Sequence, residues 1–309
     1  MTAPDRTERV ATSTPVPARQ PARTSRLRGH LLTTLLVAPA AIWYAVLLVA
    51  PLAIVVIFSF GVRARNGGYE PAFVADNYIR ALERSDPFIT SLVMASFGAL
   101  GCLLVGLPLA YFLATRAGGR KSLLILLLVV PFWTSFLIRT YSWLIILGPD
   151  NGLAGFIGTI TGDDQFRILG TPVAVLIGLV YGYLPLMVFP LYVTLERMDR
   201  TLIEASKDLG AARWATFRQI TLPVALPGLV TGTILVFIPM MGEYVIPQIL
   251  GYGRTYLMGN ALVTDFLEAR NWPSGSARAV GLILIMFVTI SLYLWFVNRG
   301  RRTREVSVL

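Results

Sequence analysis

The chain has 309 residues, of which 55% are hydrophobic and 14% are charged. Soluble proteins carry about 25% charged residues, so this composition excludes an ordinary soluble domain. A single cysteine, Cys102, and a single histidine, His30, exclude an intrachain disulfide and a thiol metal cluster, and leave few residues for other metal or nucleophile sites.

The N-terminal segment, residues 1–28, is rich in Pro, Thr, Ala and Arg and poor in apolar residues. Such a composition buries too little surface to fold alone. We therefore predict a disordered basic tail on the cytoplasmic side, lying against anionic membrane lipids. The next run, from His30 to Phe60, is about twice the length of a signal-peptide core and is interpreted as a retained membrane span.

Five further apolar runs follow, and each is long enough for the roughly 20 residues that cross a bilayer as a helix. They extend approximately from Ile89 to Ala114, Leu123 to Leu147, Val173 to Leu195, Val224 to Leu250 and Ala279 to Val297. The sequence therefore predicts an all-α membrane protein with six transmembrane helices and with both termini on the same side.

The distribution of positive charge predicts which side of the membrane each loop occupies. Of the 27 lysines and arginines, 18 lie in the tail, the second and fourth loops and the C-terminal end, whereas eight lie in the loops of the other face. Because cytoplasmic loops are enriched in Lys and Arg, both termini and the loop 196–223 are predicted to be cytoplasmic. The net charge of +10 thus reflects membrane topology and gives no reason to expect nucleic-acid binding.

The loop 196–223 contains a polar segment with a defined local pattern. Thr201 and Glu204 have the spacing of a capping box, and Gly210 suits the left-handed position that ends a helix. A second short helix is expected to follow, with Pro223 ending it. We predict a compact helix-turn-helix at the membrane face. A role of Glu204 in capping alone and a DNA-reading helix-turn-helix are the alternatives, and the hydrophobic spans on both sides disfavour the second.

Two charged residues, Arg139 and Glu243, fall inside the predicted spans, both in the outer half of the membrane. Ionisable residues are costly there and are functional candidates by default. One interpretation is a salt bridge that joins the two helices, and the other is that Glu243 lines a transport pathway. Pro239 and Pro247 bracket Glu243, which predicts a broken helix that faces protein or a water-lined cavity.

Aromatic residues flank Arg139 on its span. Trp133, Tyr141 and Trp143 form either a belt at the membrane interface or a set of π-faces that is open to a cation. The second arrangement requires that these rings face the interior of the protein.

The segment Glu204-Ala205-Ser206, followed by Gly210 and by Ile220-Thr221-Leu222-Pro223, resembles the EAA loop of ABC importer permease subunits. The one departure is Ser206 in place of the second alanine, and both residues are small enough for another backbone to approach. In that family the loop is the coupling helix, which docks in a groove of the ATP-hydrolysing subunit. The resemblance therefore implies a coupling role for Glu204, Ala205, Ser206, Asp208, Leu209 and Gly210.

Further segments resemble permeases of the spermidine/putrescine type. They run from Pro131 to Trp143, from Gly242 to Pro247, from Met258 to Asn260 and from Asn271 to Ala277. This chain departs from the pattern at Gln248, where an acid often follows the proline in relatives. The resemblance implies a MetI-like type I architecture, with a permease domain over residues 29–300 and a cytoplasmic tail over residues 301–309.

The same resemblance implies the first of two permease subunits of an importer that moves polyamines across a bacterial inner membrane. Its other partners would be two ATP-binding subunits and an external substrate-binding protein. The implied pathway residues are Glu243, Tyr244, Arg139, Trp133 and Tyr141. Gly118 to Ser122 lacks the glycines of a phosphate loop, so ATP and Mg are expected on the partner, with no cofactor and no enzymatic activity on this chain.

Two alternatives to this function stay open. One is an ABC permease for another small solute, such as a ferric ion, thiamine or a phosphonate. The other is a self-contained channel or an ion-driven carrier. A membrane-anchored DNA regulator would need a soluble domain, which the sequence does not offer.

Overall fold

The computed structural model describes residues 36–149, 152–163 and 165–306. The predicted tail 1–28 lies outside these residues. The chain divides into two compact units, Met1–Ile54 and Val55–Leu309, and the first contributes residues 36–54 to this description. Within the described ranges the secondary structure is helical, apart from one isolated bridge between Val62 and Glu70.

The helices are numbered α1 to α12 in chain order. They are α1 (Leu36–Ser59), α2 (Asp76–Glu83), α3 (Asp86–Thr115), α4 (Gly118–Trp133), α5 (Phe136–Ile146), α6 (Leu153–Thr161), α7 (Pro172–Glu196), α8 (Arg200–Asp208), α9 (Arg213–Met241), α10 (Val245–Leu250), α11 (Met258–Val263) and α12 (Trp272–Val306). A π-helical turn, Thr264–Glu268, extends α11.

Five described helices, α1, α3, α7, α9 and α12, are long and apolar enough to cross a membrane. Helices α4 and α5 make a sixth span if the bent pair is counted as one. The prediction of six spans is thus confirmed, but the third is not the straight helix that the apolar run suggested. The pair bends by 96° at Thr134 and Ser135, whose backbones are extended, after a 3₁₀ turn that contains Pro131.

Helices α3, α7 and α9 pack against one another and form most of the core. Small residues permit the close approach, which is how membrane helices associate where the lipid is as apolar as the side chains. A Cβ added at Gly228 of α9 would lie 2.5 Å from the carbonyl oxygen of Pro190 on α7. A Cβ at Gly98 of α3 would lie 2.7 Å from the sulfur of Met240.

Helix α9 differs from its predicted course at both ends. Its N-terminal part begins at Arg213 and continues through Pro223, so the prediction that this proline ends a separate short helix was wrong. A π-helical turn, Phe217–Thr221, precedes the proline. Proline has no N–H for the α-helical hydrogen bond, and the π-turn changes the hydrogen-bond register just before it, so the helix continues. At the other end α9 stops at Met241, and α10 begins only at Val245. The predicted helix break is confirmed.

Candidate functional site

Helix α8, which contains the predicted coupling residues, begins at a cap that the sequence pattern did not identify. Asp199 is the N-cap, and its carboxylate accepts a hydrogen bond of 2.9 Å from the backbone N–H of Thr201. The predicted capping box of Thr201 and Glu204 was therefore wrong, because Thr201 already lies inside the helix. The hydrogen bond from this backbone N–H lowers the pKa of Asp199 below its usual range.

The C-terminal end of α8 has the predicted left-handed residue. Gly210 has φ of +76°, and its N–H donates to the carbonyl oxygen of Lys207 at 2.8 Å. The N–H of Ala211 donates to the carbonyl oxygen of Ser206 at 3.0 Å. These bonds satisfy carbonyl groups at the end of the helix, as a left-handed cap does. The turn between α8 and α9 therefore depends on Gly210.

Ser206 joins the two helices of the loop. Its hydroxyl lies 2.9 Å from the hydroxyl of Thr216 near the start of α9. Ser206 is partly buried in this contact, whereas Ala205 is exposed. Ser206, which departs from the EAA pattern, therefore makes a contact inside this chain. Ala205 is the small residue whose side chain stays exposed to a partner.

The loop 196–223 carries exposed apolar side chains. Leu209 is 88% exposed, and Leu202 and Trp214 are exposed as well. Exposed apolar side chains that lie together can mark a contact site for another protein, so this surface is a candidate docking site.

The second candidate site is the break between α9 and α10, where Glu243 is only 7% exposed. Its Oε1 accepts hydrogen bonds from the backbone N–H groups of Tyr244 at 3.0 Å and Val245 at 2.9 Å, and lies 3.5 Å from that of Ile246. Its Oε2 accepts a hydrogen bond of 2.5 Å from the hydroxyl of Tyr183 on α7. Glu243 therefore caps α10, where free N–H groups and the helix dipole favour a carboxylate.

Helix α11 holds the same break from the other side. The amide nitrogen of Asn260 donates to the carbonyl oxygen of Tyr244 and to Oε1 of Gln248, each at 3.2 Å. A Cβ added at Gly259 would lie 2.4 Å from the carbonyl oxygen of Gly242, so only glycine allows this approach. The motif Met258-Gly259-Asn260 thus packs directly on the broken segment.

Arg139 lies on α5, beyond the bend. Its Cζ is 4.4 Å from the centroid of the Phe132 ring and 5.8 Å from that of Phe136. Its Nε and Nη1 are buried without a hydrogen-bond partner. The small cavity beside it is lined by Phe136, Thr140, Trp143, Gly178, Tyr181, Gly182 and Ile246.

The salt bridge between Arg139 and Glu243, one of the two interpretations of these charges, is not formed. The ion pairs among described residues are Arg278 with Asp265, at 3.1 Å, and Lys121 with Glu196. The carboxylate of Glu243 is instead bound by backbone N–H groups and by Tyr183, while the guanidinium of Arg139 packs on aromatic rings. The two charges are close to the same segment, since Ile246 of α10 lines the Arg139 cavity.

The side chains of the other predicted pathway residues are exposed on this chain. Trp133 is 80% exposed and Tyr244 is 46% exposed, and Tyr141 is exposed too. Trp143, by contrast, packs edge-on against Tyr181 with 5.3 Å between the ring centroids. Tyr183 was missed by sequence reasoning, because a tyrosine within an apolar run has no local pattern that indicates its partner.

Comparison with known proteins places this geometry in a family. Residues 103–302 match the family model described as binding-protein-dependent transport system inner membrane component. The spermidine/putrescine transport system permease protein PotB of Salmonella typhimurium (strain LT2) is 37% identical over 272 residues, covering 86% of this chain and 94% of that protein. PotB of Escherichia coli (strain K12) is 38% identical over 262 residues, covering 83% and 94%.

Solved structures support the same fold. A chain of a bacterial ABC transporter involved in the import of the acidic polysaccharide alginate superimposes with a TM-score of 0.68 at 15% identity, covering 89% of this chain and 98% of that one. A second structure of a bacterial alginate ABC transporter, in complex with a pentasaccharide-bound periplasmic protein, gives 0.67 at 15% identity. The chain described here therefore belongs to the family of binding-protein-dependent transport system inner membrane components, the multi-pass permease subunits of ABC importers.

Proposed function

We propose that this chain is a permease subunit of a polyamine importer and moves spermidine or putrescine, delivered by an external binding protein, into the cytoplasm. The observation that carries the proposal is the similarity to PotB, which extends over 86% of this chain. The family match over residues 103–302 includes both candidate sites, the loop 196–223 and the α9–α10 break.

We infer that energy enters through α8. Two ATP-binding subunits would supply hydrolysis and would hold ATP and Mg, and a second permease subunit would complete the pathway. The exposed Leu209 and Trp214, together with Glu204 and Ala205, form the surface that an ATP-binding subunit would grip. Closure of those subunits would push α8 and drive alternating access through α7 and α9, which flank the loop.

The pathway is proposed to pass the α9–α10 break. Tyr244 is exposed beside the break and offers a hydroxyl group and a π-face to a cationic substrate. Trp133 and Tyr141 do not face the interior of this chain, so they would line the pathway only where the second permease subunit covers them. Glu243 is buried and would not touch the substrate. Its negative charge would attract a cationic substrate at a distance, because electrostatic interactions are stronger in the low dielectric of the protein interior. Arg139 would stabilise the bend that places the aromatic residues.

The substrate is tested by transport in proteoliposomes that contain the full chain with its second permease and ATP-binding subunits. With the loaded binding protein outside and MgATP inside, radiolabelled spermidine or putrescine is expected to accumulate, and omission of ATP is expected to stop it. Accumulation without nucleotide would indicate a channel or an ion-driven carrier. Accumulation of a ferric ion, thiamine or a phosphonate in place of polyamine would identify the other importer class.

The orientation is tested by cysteine labelling, with the loop 196–223 and both termini proposed to be cytoplasmic. The native Cys102 is fully buried, so it gives little background. In cells that express this chain without the ATP-binding subunits, Leu209→Cys should react with a membrane-impermeant maleimide only in inside-out vesicles. Phe73→Cys, at a position that is also 88% exposed but lies in the loop assigned to the outer face, should react only in spheroplasts. The reverse pattern would contradict the proposed topology.

A further inference from the structure

Tyr183 occupies a position that connects the two candidate sites. It lies within α7, about 20 Å from the end of that helix at Glu196, given a rise of about 1.5 Å per residue. Helix α8 begins at Arg200, shortly after α7 ends. The helix is continuous through Pro185 and Pro190. Displacement of the coupling loop would therefore be carried along α7 to the level of Tyr183.

At that level the Tyr183 hydroxyl donates a hydrogen bond to the carboxylate of Glu243, which lies between α9 and α10. Glu243 follows the end of α9, and its other oxygen caps α10. A hydrogen bond to an ionised group is stronger than a neutral one, and stronger still in a buried setting. Any shift of α7 along its axis must carry the N-terminus of α10 with it or break this bond.

We propose that Tyr183 is a positioning residue for transport: its hydroxyl holds Glu243 on α10, and through α7 it links movement of the coupling loop to the α9–α10 break. This inference rests on the proposed importer function. Tyr183 acts through Glu243 and not by contact with the substrate.

The test uses Tyr183→Phe, which removes only the hydroxyl, in the complete transporter in lipid nanodiscs. The measured quantity is ATP hydrolysis stimulated by the external binding protein. Its maximal rate is expected to fall about tenfold, because a hydrogen bond to a charged group is lost. The concentration of binding protein that gives half-maximal stimulation is expected to stay unchanged. Tyr111→Phe, which removes the same group from a partly buried tyrosine of α3, is the control and should behave as wild type.

A double-mutant cycle separates positioning from a general packing effect. Tyr183→Phe and Glu243→Gln act on one bond, so the double variant should be no worse than the poorer single variant. Additive losses, or a Tyr183→Phe protein with wild-type stimulation, would overturn the proposal. Because the readout is ATP hydrolysis, it reports on Tyr183 even if spermidine proves not to be the solute, whereas failure of spermidine uptake in the wild type counts only against the proposed substrate.

Discussion

Gly210→Val should abolish ATP-driven uptake while the protein remains inserted in the membrane. Gly210 has φ of +76°, and a side chain with a Cβ costs about 1–2 kcal/mol in a left-handed conformation, with a β-branched one worse. The space around the glycine is open, so the effect comes from the backbone and not from a clash. The valine variant would turn the end of α8 away from the geometry that an ATP-binding subunit engages.

Two matched variants give the control for Gly210→Val. Gly210→Asn places a residue that tolerates the left-handed region at the same position and should retain most uptake. Gly253→Val introduces the same strain at a glycine with φ of +69° and open surroundings, in the loop assigned to the outer face, and should also transport. Glu204→Trp adds bulk to the exposed surface of α8 and should abolish uptake. Normal transport by both Gly210→Val and Glu204→Trp would refute the coupling role.

Glu243→Ala should destabilise the segment between α9 and α10 and eliminate transport. The substitution leaves the N–H groups of Tyr244 and Val245 and the hydroxyl of Tyr183 without their acceptor. Each buried polar group left unsatisfied costs about 1–3 kcal/mol, so a large fall in the melting temperature of the purified protein is expected. Thermal unfolding in detergent and uptake in proteoliposomes measure the two consequences.

Glu243→Gln distinguishes the charge of this residue from its hydrogen bonds to α10. Glutamine keeps one acceptor oxygen for the N-terminus of α10 and loses only the acceptor of the Tyr183 hydroxyl, so stability should stay well above that of Glu243→Ala. If the negative charge helps to conduct a polyamine, uptake should fall while capture by the external binding protein is unchanged. Wild-type uptake in this variant would leave Glu243 as a structural cap, and equal damage from Gln and Ala would contradict the separation of the two roles.

The sequence by itself determined the features that depend on local chemistry. Apolar runs of about the bilayer thickness marked the spans, because backbone groups in lipid must be satisfied within a helix. Gly210 was placed correctly because a left-handed position strongly favours glycine. Pro239 and Pro247 predicted a break in the fifth span, and in the structure the helix is interrupted between Met241 and Val245.

Only the tertiary structure decided which groups satisfy one another across the fold. Glu243 had Arg139 as its apparent partner in the sequence, yet its carboxylate binds Tyr183, which is distant along the chain. The 96° bend between α4 and α5 was equally hidden, since an apolar run has the same composition whether it is straight or folded back. Spans and caps follow from the nearest residues, whereas the partner of a buried charge follows from packing that brings remote helices together, and a single sequence does not encode that in any local pattern.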